Sequence, residues 1–325
     1  MKLGIAVVYM ISERNERLLD LHLSQIETHT NVPYKIYACV NELLPQFRER
    51  LDLDPNVTVC PCETYEKGTG LLRQDAEKVP IRGLIAVGSK YEHSFYLEQL
   101  MQAAIEDGVT HVAVLHADSF PIRPGWAEEL AGMLTDRCML AGITRDPEKD
   151  HKPLTAGILY HRDFYLKYQP RLLLSQERFD SEDYQRYFHA CPHVTDSGFG
   201  YGYTMFMNGL TWHPLIRSNK GGNHMVFASI YGDLIFHLHA TAFIERTKKA
   251  GFTGQVNDGS QFRKFSRTVA RAVLPAPVRM KVRNSLPERI RDPQDRLDRK
   301  AWEYERQSLF NDPEAYLAYL RTGVR

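Results

Sequence analysis

The chain has 325 residues, with 41 Lys and Arg against 40 Asp and Glu, so its formal charge of +1 favours no particular class of partner. Hydrophobic residues at 43% and aromatics at 11% can build a substantial core, which excludes a disordered or fibrous chain. No apolar run reaches the roughly 20 residues needed to span a bilayer, and five cysteines, with only Cys60 and Cys62 close together, imply no disulfide framework. From the N-terminus, Met1-Lys2-Leu3-Gly4 runs straight into a strand-like stretch without the pattern of a signal peptide. A reducing cytoplasm is therefore the expected location. Leu3 to Met10 is a near-continuous apolar run, the pattern of a strand buried on both faces of a parallel sheet. Ser12 suits an N-cap for the segment in which Leu19, Leu23 and Ile26 keep helical spacing. Tyr34 to Val40 and Val57 to Cys60 read as further strands.

His93 to Asp107 predicts an amphipathic helix, with Leu97, Leu100, Met101, Ala104 and Ile105 on one stripe and Gly108 as its stop. His111 to Leu115 predicts a buried strand that runs into His116-Ala117-Asp118, and Pro124-Gly125-Trp126 opens another helix. Strands alternating with helices at this spacing predict a βαβ-type parallel sheet. Beyond it, Ala156 to Tyr160 reads as a strand, followed by a polar region to His193. A Gly/aromatic stretch runs from Asp196 to Tyr203, and Tyr231 to His239 reads as a strand ending in two histidines on one face. The aromatics between 199 and 213 suit either a sugar-stacking platform or plain core.

From about Thr247 the composition becomes polar, basic and helical, which divides the chain into 1–246 and a helical extension, 247–325. Between Arg263 and Arg291 stand nine Lys/Arg and one acid, Glu288, a local charge of +8 that leaves −7 on the rest. Phe262, Phe265, Val269 and Val273 share one helical stripe there, and Arg263, Arg267 and Arg271 another. Segment 262–291 thus suits an anionic membrane surface, so a peripheral membrane location is a further expectation. The competing reading is a helix covering the main domain with its basic face in water. Nucleic acid is not expected, because no binding motif is matched.

Ligands of open parallel sheets bind at the carboxyl ends of the strands. The polar residues there are Ser12, Glu13 and Asn15 after the first strand, Asn41 and Glu42 after the second, and His116 and Asp118 after the central one. Gly-x-Gly-x-x-Gly and the Walker phosphate loop are absent. Cys60-Pro61-Cys62 has no companion set at zinc spacing. The strongest local signal is VAVLHADSFPIRPGW, residues 112–126, where a carboxylate at the end of a rigid strand is placed to hold a divalent cation against a diphosphate.

This block resembles the GT-A glycosyltransferases, particularly the family 2-like group, in which a strand ending in Asp-x-Asp is followed by a short loop and Pro-Gly-Trp. The resemblance covers residues 1 to about 245. It implies a GT-A, Rossmann-like α/β fold with a mostly parallel sheet flanked by helices. It also implies metal-assisted, inverting transfer of a sugar from a nucleotide-sugar donor, with Mn²⁺ or Mg²⁺, to a glycan, lipid-linked or small-molecule acceptor. Asp118 matches the metal-binding Asp, while His116 stands where the first Asp of Asp-x-Asp would be, as metal ligand or nucleotide contact. Asn15 and Asn41 fall in the expected nucleotide-binding loops. His237 or His239 is the late histidine that completes such a metal site. The catalytic carboxylate is Asp196 or, further upstream, Asp183, with Asp196 preferred. Two other readings are a sugar nucleotidyltransferase, disfavoured by the missing phosphate loop, and a non-catalytic carbohydrate- or partner-binding protein.

Overall fold

A computed structural model describes residues 1–11, 13–40, 43–63, 89–144, 152–172, 174, 178, 181–191, 197–222, 224, 226–239 and 293–324. Ser12, Asn41, Glu42, Asp196 and the basic segment 262–291 lie outside the described residues.

The chain begins with β1 (Leu3–Val8), α1 (Glu16–His29), β2 (Tyr34–Cys39), α2 (Pro45–Leu53) and β3 (Val57–Val59). Then come α3 (Ser89–Glu106), β4 (His111–His116), β5 (Ser119–Pro121), α4 (Trp126–Gly132), β6 (Cys138–Ile143) and β7 (Leu154–His161). After α5 (Arg162–Tyr168), α6 (Glu182–Ala190) and α7 (Phe199–Met207) follow β8 (Thr211–Leu215), β9 (Ser229–Tyr231) and β10 (Ile235–His237). Two helices close the chain, α8 (Pro293–Asn311) and α9 (Pro313–Thr322).

Seven strands form the main sheet in the order β3-β2-β1-β4-β7-β6-β8. Every pairing is parallel except the two made by β7, which runs against both β4 and β6. The expected α/β architecture with a mostly parallel sheet is therefore present. The sheet is sandwiched because its strands are apolar on both faces. Leu3, Ile5 and Val7 of β1 join one cluster with α1, α2 and α4, whereas Ala6 and Val8 join another with α3, α5 and α7. Each fully buried aliphatic side chain contributes roughly 1.5–3 kcal/mol.

A second sheet of three strands, β5-β10-β9, branches off where β4 ends. The sequence from Tyr231 to His239 is thus not one strand but the end of β9, a turn and β10 of a hairpin. Gly232 and Asp233 both have positive φ, +58° and +57°, and the Leu234 N–H donates to the Tyr231 carbonyl at 3.0 Å, which closes a tight turn in a loop of three residues between Tyr231 and Ile235. Likewise, the Gly/aromatic stretch is largely helical, in α7, and the polar region before His193 contains α5 and α6.

The last two helices pack onto the small sheet. Trp302, Leu309, Phe310, Tyr316, Leu317 and Leu320 share a cluster with Leu18, Phe120, Phe236 and Leu238. Asp312 caps α9 by accepting from the Ala315 N–H at 3.0 Å, Pro313 occupies its first turn, and Gly323 ends it at a φ of +77°. Among the described residues no helix is long and apolar enough to cross a membrane.

Candidate metal centre

The site forms where β4 leaves the main sheet. His116 is the last residue of β4, and the chain turns through Ala117-Asp118 into β5. Ser119 pins this turn: its hydroxyl accepts the His116 N–H at 2.8 Å and lies within hydrogen-bonding distance of the Ala156 carbonyl. The register of β10 against β5 then sets His237 opposite Ser119. One residue further on, the Leu238 N–H donates to the Asp118 carbonyl at 2.9 Å. Strand pairing therefore brings a histidine about 120 residues away in sequence onto the Asp118 carboxylate.

His237 Nε2 is 3.3 Å from Asp118 Oδ1, and His116 Nδ1 is 4.0 Å from the same oxygen. One donor atom from each of the three residues lies within 4.8 Å of the others, and among the described residues no other His, Cys, Asp or Glu group of three is so converged. Asp118 and His237 are buried, while His116 is partly open. A buried carboxylate is stable only when paired or ligating, so this oxygen with two imidazoles is a natural cation seat.

The surrounding contacts fit that role. Thr155 Oγ1 is 3.1 Å from His116 Nε2, which leaves Nδ1 as the nitrogen turned to Asp118. Orienting a ligand histidine through its second nitrogen is the usual arrangement around a metal. The Thr155 hydroxyl is in turn 3.0 Å from that of Ser197, whose carbonyl accepts from the buried Lys152 ammonium at 3.2 Å. An aromatic row passes through the site, with ring centroids 4.7 Å apart for His93 and His116, 5.4 Å for His116 and His237, and 3.7 Å for His237 and His239. Near the turn, fully buried His22 shares a 3.1 Å hydrogen bond between Nδ1 and the Tyr9 hydroxyl. Desolvation lowers its pKa to about 4, keeping it neutral.

Of the residues singled out in the sequence, His116, Asp118 and His237 come together. His239 stands beside them but outside the group, with Nε2 2.9 Å from the Tyr231 hydroxyl. Asn15 ends the turn before α1, fully buried, and its Oδ1 accepts from Arg306 of α8 at 3.3 Å. Asp183 lies in the first turn of α6, half-exposed and paired with Arg186 at 3.0 Å, and it is not in the group. Tyr201 packs in the core between sheet and helices, and Phe199 and Tyr203 pack with Tyr184 and Tyr187. Ser119, Thr155, Trp302 and Arg306 were not singled out in the sequence. Thr155 adjoins a predicted strand and was within reach, whereas nothing local marks Trp302 or Arg306.

No known protein-family model matches the chain, and no curated protein matches it. Solved structures similar to parts of it include a mannosyltransferase from Pyrobaculum calidifontis in complex with GDP-Man and Mn²⁺, at 10% identity and a TM-score of 0.34. That likeness covers 51% of this chain and 46% of the other. Mouse xyloside xylosyltransferase 1 in its apo form is 11% identical with a TM-score of 0.38, over 66% of this chain and 85% of the other. TarS from S. aureus, residues 1–349 in complex with UDP-GlcNAc, is 10% identical with a TM-score of 0.34, over 53% and 49%. The chain thus spans about half of the first and third of these structures and most of the second, and the likeness is weak by either measure.

Proposed function

We propose that the chain is a divalent-metal-dependent glycosyltransferase, moving a sugar from a nucleoside-diphosphate donor to an acceptor hydroxyl with inversion. The observation that carries this reading is the buried Asp118 carboxylate, at the carboxyl edge of a mostly parallel sheet, with His116 and His237 turned onto it. Asp118, His116 and His237 hold the cation. When bound, a divalent cation supplies positive charge against the diphosphate of the donor. Two imidazoles with one carboxylate suit Mn²⁺ better than Mg²⁺, which prefers oxygen ligands. The buried Lys152 side chain is linked to the group through Ser197 and Thr155. Asn41 contacts the nucleoside, and Asn15, bonded to Arg306, holds the loop after β1 in shape.

Asp196 is the general base in this reading. It accepts the proton of the acceptor hydroxyl as the acceptor oxygen bonds to C1 of the sugar; the C1–O bond to the diphosphate breaks and its electron pair leaves with the diphosphate. The reading is supported by Ser197, next to Asp196 in the chain, whose hydroxyl is tied to His116 through Thr155.

The test is a thermal-shift titration of nucleoside diphosphates with and without Mn²⁺. A ligand held at 100 times its Kd stabilises the native state by about 2.7 kcal/mol, so the right pair raises the melting temperature by several degrees. Asp118→Asn abolishes the metal-dependent part. Asp196→Asn retains the shift but loses sugar transfer, and full turnover in that variant moves the role to Asp183 or elsewhere. If no nucleotide–metal pair changes the melting temperature, the assignment fails.

A further inference from the structure

His239 follows β10 with a φ of +67°, a left-handed conformation that histidine seldom adopts. Three contacts hold it there. Its carbonyl accepts the indole N–H of Trp302 at 2.8 Å, its Nε2 lies 2.9 Å from the Tyr231 hydroxyl, and its ring centroid is 3.7 Å from that of His237. All four residues are buried. The same helix, α8, also reaches Asn15 through Arg306, so it grips the loop after β1 as well as the end of β10.

The two histidines on Asp118 are oriented by different means. Thr155 bonds the second nitrogen of His116, whereas Nδ1 of His237 has no hydrogen-bond partner among the described residues. The plane of the His237 ring is therefore set by packing, and the His239 ring, tilted 36° to it at 3.7 Å, lies nearer than that of His116.

We infer that Trp302 and His239 are positioning residues for the metal centre: the indole fixes the backbone of His239, and the ring of His239, packed against that of His237, holds His237 with Nε2 towards Asp118. This rests on reading His116, Asp118 and His237 as a metal site. It makes the C-terminal helix part of that site, although no residue of α8 belongs to the ligand group. Backbone held in a rarely populated conformation beside a site is a recognised means of fixing geometry.

Co²⁺ alone, titrated into the full-length protein and followed by its visible absorption, tests the inference, because the bands report both affinity and ligand geometry. Trp302→Phe retains a ring but removes the N–H. It weakens Co²⁺ binding about tenfold or more, the range typical of lost outer-shell partners, and shifts the visible bands. Tyr231→Phe, which deletes only a hydroxyl, shifts them in the same way and serves if Trp302→Phe does not fold. Leu309→Ala, in the same apolar cluster as Trp302, lowers the melting temperature but leaves the spectrum and affinity within about twofold. Wild-type affinity and bands in both Trp302→Phe and Tyr231→Phe overturn the inference and leave the metal site standing. Equal weakening in Leu309→Ala reduces Trp302 to packing and overturns it too. A wild-type protein that gives no cobalt bands overturns the metal site itself, and the inference with it.

Discussion

The two ends of β4 carry histidines in opposite situations. His116 at the carboxyl end faces Asp118, while His111 at the amino end faces His161, with ring centroids 4.9 Å apart. Desolvation, then the neighbouring His161 and the chain's amino terminus, lower the His111 pKa from 6.5 to about 4. Below about pH 6.5 the unfolded chain takes up a proton that the folded chain refuses, so stability falls as the pH drops from 6.5 towards 4. At 1.36 kcal/mol per pKa unit the whole shift corresponds to roughly 3 kcal/mol. His111 is only half-buried, so solvent screening reduces this to about 1–2 kcal/mol. His111→Gln removes the titration, and urea unfolding at pH 6.5 and pH 4 is expected to show wild type losing that much more stability than the variant. Parallel losses would mean that His111 does not carry this dependence. At this scale the candidate site was largely legible, because His116, Asp118 and His237 each stand at the end of an apolar run. Trp302 and Arg306 were not, since they reach His239 and Asn15 across 63 and 291 residues of sequence.

Among the elements, β1 and β4 could be read directly, because strands covered on both faces leave unbroken apolar runs. The reversal of β7 could not, because periodicity records burial and not direction. The β9–β10 hairpin carried a signal in Gly232-Asp233, a dipeptide that favours a tight turn, yet the run around it reads as one strand. For α7 the local sequence argues against the outcome: FGYGYTMFM combines two glycines with aromatics, all poor helix formers. Packing overrides propensity there. A Cβ on Gly200 would lie 2.2 Å from the carbonyl oxygen of Arg171, so only glycine lets α7 approach that backbone. Gly200→Ala is therefore expected to cost about 1–3 kcal/mol as overpacking, read as a lower urea midpoint. An unchanged midpoint would show that the 171–172 segment yields freely.

For the whole molecule, the issue is whether α8 and α9 fold with the sheets or as an attachment. Their apolar residues share one cluster with α1, β5 and β10, and the Leu320 carbonyl accepts backbone N–H groups from Lys220 and Gly221 at 2.8 and 3.1 Å. Tyr316 donates its hydroxyl to the buried Glu305 carboxylate, which joins the two helices to each other. These bonds tie α9 to the segment that leads into β9. Leu320 is fully buried, so Leu320→Ala is expected to lose about 2–5 kcal/mol through the cavity it leaves. The three tryptophans distinguish the possibilities, since Trp126 and Trp212 pack in the two clusters of the main sheet and Trp302 in the cluster under α8. If the molecule is one cooperative unit, urea curves by tryptophan fluorescence and by far-UV circular dichroism coincide for wild type and shift together in Leu320→Ala. A fluorescence transition that separates and moves alone would instead mean that the terminal helices melt from an intact sheet. The Trp302 contact with His239 would then open at a lower denaturant concentration than the fold that carries Asp118.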